Sequence, residues 1–495
     1  MFRVRYSILI NYLSYLLHLA LSTIFTIIVA RKLSVTMFGL WATIVGVDTI
    51  ISSMVYIWAW MNTRLYVRGV REYIRTSFTL TTIYMFLSPI FMTIIGLAYS
   101  SILGWGLEYF VLAGLSVVFN SLYVFLSNTV IGVQPYYLGY GNLLRDSVKV
   151  LASYITVYLL NMGLIGTILS VIASLLTVDV FFLIIVIRNR FPLGFSLEYF
   201  GRILRNAYIP LITLAYGIVA SLEKPLATGI ARATEITAYL NVASLPRNVI
   251  VLAGSSIGVS IMPRLLSEPS TGDIEDYLSI GILLNNWVFV SLIVFSTPIL
   301  SLYNHNHIYL NAIIIYLLYC IDSIILAYAY MISTIPVGVE KKDLYEEGNA
   351  LVKTPLFKIP MYNLIRSVIA ISIGSIGLYI ALLNRVLGVK ALILYPIGWL
   401  LADASFLIYS YRLAIKTVFF KFPWREVLCV FLASITSALL AIALGGNRVV
   451  LDKFSEDIVR VIPPALIHTV TYVLVSTILS RKYRKLLFTV LKSIK

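Results

Sequence analysis

The sequence predicts an all-α integral membrane protein with about fourteen transmembrane helices. Three observations predict it: an extreme apolar composition, apolar runs of membrane-crossing length from end to end, and basic residues gathered in alternate loops. Of the 495 residues, 60% are hydrophobic and only 12% are charged, with a mean hydropathy of +0.93. Ordinary globular domains carry roughly twice that charged fraction. No soluble fold hides so much apolar surface, so the length is read as one membrane domain rather than about three soluble ones. The first run, 8–30, lacks a small-residue cleavage site and passes into Arg31 and Lys32. It reads as a retained helix rather than a removable signal, and no soluble domain is expected before or after the bundle.

Apolar runs able to cross about 30 Å of hydrocarbon are expected near 8–30, 39–61, 76–98, 109–132, 143–161 and 163–187. After a basic stretch they resume near 207–229, 238–262, 278–301, 308–335, 361–383, 391–411, 426–444 and 462–479. An N-terminus in the cytoplasm puts 27 of the 38 basic residues on the inner side and nine on the outer side. The positive-inside rule therefore chooses a cell-membrane protein with both termini cytoplasmic, which requires an even number of helices. The same distribution accounts for the net charge of +16 without a nucleic-acid partner, because the cations sit in short loops rather than on one soluble face. Membrane lipids are the expected surroundings, and nothing in the chain sets an oligomeric state. The two cysteines, Cys320 and Cys429, both fall in apolar runs, so neither a disulfide framework nor a metal pair is expected.

Offset by 201 residues, the chain aligns with itself: Leu13 with Leu214, Tyr15 with Tyr216, Leu21 with Leu222, Ala30 with Ala231, Arg31 with Arg232, Thr36 with Thr237 and Ala42 with Ala243. An even number of spans separates the copies, so they share one orientation, as in transporters whose halves are related by an axis along the membrane normal. The expected organisation is an N-lobe of six helices (1–187), a cytoplasmic linker (188–206), a C-lobe of six helices (207–412), and helices thirteen and fourteen with a basic tail (413–495). A cleft between lobes that rock against one another is the corresponding expectation for transport.

The passage Ala30-Arg31-Lys32-Leu33, followed by Phe38-Gly39-Leu40-Trp41-Ala42, resembles one found at the same place in polysaccharide and lipid-linked oligosaccharide flippases, the polysaccharide transporter branch of the MATE-like, MOP exporter superfamily. Helix eight is similar too, from Ala238-Tyr239 and Ala243 to Pro263-Arg264. The fourteen-span layout and six-plus-six repeat agree over most of the chain. Glu223-Lys224 stands where an Asp-Arg pair is common in that family. The resemblance implies a flippase that moves a polyprenyl-phosphate-linked glycan across the cell membrane by alternating access, with cationic groups in a wet cleft sheltering the anionic head. A cation-coupled drug or metabolite exporter of the same superfamily is the alternative.

Polar residues inside apolar runs are the candidate site. Arg247 is costly in hydrocarbon, by about 2.5–3.5 kcal/mol. It is read either as a substrate ligand or as half of an ion pair with Glu223 or Glu235. Arg64 and Arg31 are further candidate substrate-binding residues, Arg64 equally a positive-inside anchor, and Arg366 is read as a snorkelling cytoplasmic anchor. Asp48, Asp322 and Asp403, with Glu223, are candidates for a coupling Na⁺ or H⁺, or for hydrogen bonds between helices. Asp179 is a weaker candidate of the same kind. His18 is read as core packing, and Pro89, Pro210, Pro225, Pro246 and Pro298 as bends. No Walker loop, zinc-protease or nucleophile-elbow motif and no paired acidic motif occurs, so no catalysis, cofactor or metal is expected. The loop 336–360 carries Lys341, Lys342, Lys353 and Lys358 and should be cytoplasmic. A cysteine introduced there should resist an impermeant external thiol reagent in intact cells. Labelling would overturn the topology.

Overall fold

The computed structural model describes residues 4–33, 35–103, 106–188, 194–231, 234–267, 270–302, 307–344, 348–386, 388–451 and 454–485. Among them the chain is helical and carries no strand, as lipid demands of a backbone that must satisfy its own hydrogen bonds. In chain order the principal helices are α1 (Val4–Lys32), α2 (Val35–Ser53), α3 (Arg71–Leu103), α4 (Leu107–Val133), α5 (Tyr136–Ser153), α6 (Gly163–Arg188) and α7 (Tyr208–Ser221). They continue with α8 (Leu245–Ser267), α9 (Thr271–Val294), α10 (Ile313–Val339), α11 (Pro355–Leu383), α12 (Leu394–Thr417), α13 (Trp424–Ala443) and α14 (Phe454–Leu479).

Among the described residues, twelve helices are long and apolar enough to cross a membrane, and a thirteenth span arises if α7 is joined to the helix Leu197–Asn206, from which it is bent by 42°. α5 is the remaining one. It carries Arg145, Asp146 and Lys149, which lower its hydropathy, and it runs on as a π-helix from Tyr154 to Leu159. There the Thr156 hydroxyl donates to the Ala152 and Gly166 carbonyls, and Gly163, at φ +57°, turns the chain into α6. The expected count of about fourteen follows, in a multi-pass membrane protein.

The helices fall into two compact units. The first comprises Met1–Leu214, Val259–Glu268 and Glu340–Thr354; the second comprises Ala215–Gly258, Pro269–Val339 and Pro355–Lys495. Lipid tails are as apolar as leucine, so the units are held by close packing and interhelical polar contacts rather than by expulsion of water. In the first, α3 packs on α4, α1 on α5, and α5 and α4 on α6, around Phe125, Val130, Val178 and Phe182. In the second, α12 packs on both α10 and α11, while α9 packs on α13 and α13 on α14. α11 meets α12 through glycines: a Cβ on Gly374 would lie 2.3 Å from the Tyr395 ring, and one on Gly398 would lie 2.6 Å from the Ala370 carbonyl oxygen. Proline marks several helix ends and bends. Pro210 follows the 42° bend, and Pro89 lies inside α3 with Gly114 against it.

The polar segment expected over 336–360 is shorter than its composition suggests. α10 runs through Pro336 to Val339, and α11 begins at Pro355, where the missing N–H is not needed. The remaining 340–354 belongs to the first unit and is clasped by three arginines. Arg64 Nε and Nη2 donate to the two Asp343 carboxylate oxygens at 2.8 and 3.0 Å, and Arg68 Nη1 donates to Asp343 at 2.7 Å. Arg64 and Arg68 also donate to the Glu340 carbonyl, and Arg202 donates to the Asp343 carbonyl. Further along, the Tyr208 hydroxyl donates to the Gly348 carbonyl at 2.8 Å, and Asn206 accepts from the Gly348 N–H at 3.0 Å. Burial pushes the Asp343 carboxyl up, but the two guanidiniums and their hydrogen bonds outweigh it and hold it below the usual carboxylate range.

A folded-state value below the unfolded one means that this clasp contributes fully above about pH 3.9 and weakens only as pH falls through the depressed value. Exchange protection of 348–354, corrected for intrinsic rates, should therefore be flat from neutral pH down to about pH 4 and fall below it. Asp343→Ala, which strands buried arginines, should abolish that protection at every pH. A midpoint near neutrality would contradict the clasp.

Candidate functional site

Within the second unit, a charged network crosses four elements. α8 supplies Arg247, whose Nη1 donates to Asp322 of α10 and whose Nη2 donates to Asp403 of α12 at 2.8 Å. Asp403 accepts with its other oxygen from Arg366 of α11. Arg366 is 1% exposed and spends its remaining donors on Asn363 at 2.8 Å and on the hydroxyls of Tyr330 at 2.7 Å and Tyr216 at 3.2 Å. The order acid, base, acid, base leaves each buried charge beside an opposite one, without which it would be prohibitively costly in this medium. Arg247 also stacks on Trp399, its guanidinium carbon 3.7 Å from the ring centroid. Trp399 sits one turn before Asp403 and donates its indole N–H at 3.2 Å to Glu223, which also accepts from the Tyr319 hydroxyl.

This network forms the wall of a cavity of about 400 Å³ lined by Tyr216, Glu223, Lys224, Arg247, Asn248 and Trp399 among others. The depth of each charge decides what a ligand meets. The Arg247 side chain is 13% exposed, whereas Asp322 and Asp403 behind it are fully buried. Lys224 also reaches the cavity and donates to Asn241. Among the described residues Glu223 is the one carboxylate lining this cavity, and both its oxygens are occupied.

The first unit repeats the layering in its own cavity of about 380 Å³, lined by Ser22, Trp41, Asp48, Asn120, Arg145 and Lys149 among others. Arg145 and Lys149 project from α5, one turn apart, and are 19% and 16% exposed; Asp146, paired with both, is fully buried and is also bonded to His18 of α1. Asp48 of α2 is held by α4, accepting from Ser116 at 2.7 Å and Asn120 at 2.8 Å. Asp179 of α6 is buried and neither oxygen has a hydrogen-bond partner among the described residues.

Several expectations change against this geometry. Arg247 pairs with Asp322 and Asp403 rather than with Glu223, and the Glu235 side chain lies outside the described residues, as does that of Arg31. Asp322 and Asp403, read as candidates for a coupling ion or for hydrogen bonds between helices, are arginine-bound. Arg366 is no snorkelling anchor, because its partners lie on neighbouring helices rather than at the water interface. His18 is not simply packed but bonded to a carboxylate. Arg64 lies in the Asp343 clasp. Arg145 and Lys149, counted only among the inner-side cations of the positive-inside tally, and Trp399, Tyr319 and Tyr330 are site residues that the sequence does not single out. The visible signal was spacing, since Tyr319, Asp322 and Tyr330 fall on one face of α10 and Trp399 and Asp403 on one face of α12.

No protein-family model matches the chain, and no curated protein matches it in sequence. Solved structures do match. A MATE protein in complex with MaL6 superposes with a TM-score of 0.67 at 14% identity, over 84% of this chain and 97% of the other. A multidrug resistance MATE family transporter of the MOP superfamily, in an outward-facing conformation, gives 0.62 at 14% identity over 83% and 95%. A MOP superfamily transporter from Pyrococcus furiosus, described as having a binding pocket of reversed polarity, gives 0.58 at 14% identity over 83% and 95%. The chain has the fold of these transporters.

Arg247→Ala should strand Asp322 and unbalance Asp403, lowering stability by about 3–5 kcal/mol. Detergent melting should show the loss, and adding Asp322→Asn should restore part of it. Unchanged melting of the single variant would contradict a structural role for the pair.

Proposed function

We propose that this chain is a membrane transporter that flips a polyprenyl-phosphate-linked glycan by alternating access. The observation that carries the reading is the layering of charge: in each unit the cations stand at the cavity wall and the carboxylates that pay for their burial stand behind them. A phosphate entering either cavity meets guanidinium and ammonium donors, which hold phosphate strongly. Asp48 and Asn120 add acceptors and donors suited to sugar hydroxyls. The fold supports the same reading, being that of transporters. Arg247, Lys224, Arg145 and Lys149 are the residues assigned to the anionic head. Na⁺ or H⁺ coupling is assigned to the membrane carboxylates Asp48 and Glu223, and the polar clasp and basic tail are assigned to the cytoplasmic side.

Export of an organic cation is the second reading. It is favoured by the likeness to a multidrug resistance transporter and by Asp48 at the wall of the first cavity.

In proteoliposomes, a fluorescent short-chain polyprenyl-pyrophosphate saccharide should cross without ATP and slow when an ionophore collapses the imposed gradient. Lys224→Gln and Arg247→Lys, which keep the protein folded, should each slow it about tenfold, the effect of roughly 1.4 kcal/mol. Transport of organic cations with no movement of the saccharide would favour the second reading.

A further inference from the structure

The helix Leu197–Asn206 is too short to span, and it meets the span α7 at 42°. Its two faces differ sharply. Leu197, Gly201 and Leu204 share one face at helical spacing; Leu197 is 77% and Leu204 60% exposed, and Phe195, just before the helix, is 51% exposed. The opposite face carries Tyr199, Arg202, Ile203 and Asn206, directed into the first unit, where Tyr199 meets Tyr73 of α3 edge to face at 6.1 Å between ring centroids. Arg202 and Asn206 are the two residues of this helix that bond segment 340–354. One helix therefore joins an open apolar face to the Asp343 clasp.

We propose that Leu197–Asn206 is an interfacial helix that seats on the cytoplasmic leaflet and tightens the 340–354 clasp when that leaflet carries anionic lipid. Its chain neighbours bear on the depth, since α6 ends at the exposed Arg188 beyond the exposed Ile184 and Ile187, and α7 exposes Leu211 and Ile218. An apolar strip between two such helix ends lies at the level of acyl chains and headgroups. Arg205 lies on the helix with Glu198, Arg188 closes α6 before it, Arg75 comes within 3.5 Å of where a Cβ on Gly194 would lie, and Glu72 lies near Tyr199; three cations against two acids favour an anionic headgroup layer. A water-exposed loop would leave Leu197 and Leu204 solvated with no compensating contact.

The test places nitroxide labels at Leu197→Cys and Leu204→Cys in the full chain, whose own cysteines are both buried. The protein is reconstituted in phosphatidylcholine vesicles with and without phosphatidylglycerol. Both labels should be more accessible to oxygen than to a polar nickel chelate. Exchange of 348–354 should be about tenfold slower with phosphatidylglycerol, and Arg188→Gln with Arg205→Gln should remove the difference. Unchanged exchange in α4 checks that each variant is folded. Labels open to the nickel chelate would place the helix in water and overturn the proposal, as would labels shielded from both reagents, the signature of a protein partner. Equal exchange in the two vesicle types would overturn the lipid-charge reading.

Discussion

Two arginines and two aspartates held in one unbroken order, Asp322, Arg247, Asp403, Arg366, are the interaction on which the second unit depends. Each charge alone would be prohibitive inside hydrocarbon-spanning helices, and each is tolerable only because its neighbour has the opposite sign and fixed geometry. The network joins α8, α10, α11 and α12, and the packing agrees with it: α12 lies against both α10 and α11, and glycines at Gly374 and Gly398 let the backbones approach. With little hydrophobic drive between helices in lipid, such polar bonds specify which helices meet and at what height.

The same network sets the chemistry of its cavity. Because Asp322 and Asp403 are behind Arg247, that guanidinium is the member of the network that reaches the cavity, and its orientation is fixed in advance by two hydrogen bonds and by the Trp399 face. Preorganisation of this kind lowers the entropy lost when a ligand binds. The first unit reaches the same result from different parts, with Asp146 behind Arg145 and Lys149 on a single helix. Two cavities of similar size, built from non-equivalent residues with one layering rule, are hard to reconcile with charges that serve packing alone.

Much of the fold was legible because bilayer thickness imposes a length on every span. The charged site was legible only in part. Composition showed that Arg247, Asp322 and Asp403 are expensive, but not who compensates them, since the partners lie 75, 156 and 37 residues apart in sequence. Arg366 was misread, and Arg145 and Lys149 were passed over, for one reason: a cation in an apolar run has the same local sequence whether it snorkels to water or turns inward to a carboxylate. Asp343 was hidden in a loop whose lysines drew attention to topology. The repeat at offset 201 brought Tyr216 forward, and that residue does meet Arg366, although spacing alone did not reveal the contact.

In the second cavity Arg247 and Lys224 offer an anion two cations, while Asp322 and Asp403 lie behind Arg247 and the wall carboxylate Glu223 is already bonded to Tyr319 and Trp399. That anion preference is tested most directly by ligand-induced melting shifts of the purified chain with a short-chain polyprenyl pyrophosphate and a chain-matched quaternary ammonium. A ligand at a hundredfold excess over its Kd stabilises by about 2.7 kcal/mol, which such a melt resolves. The pyrophosphate should stabilise the chain, less so as salt is raised and as Lys224→Gln and Arg247→Lys are combined, and the ammonium should not stabilise it. Stabilisation by the ammonium with no response to the pyrophosphate would contradict it.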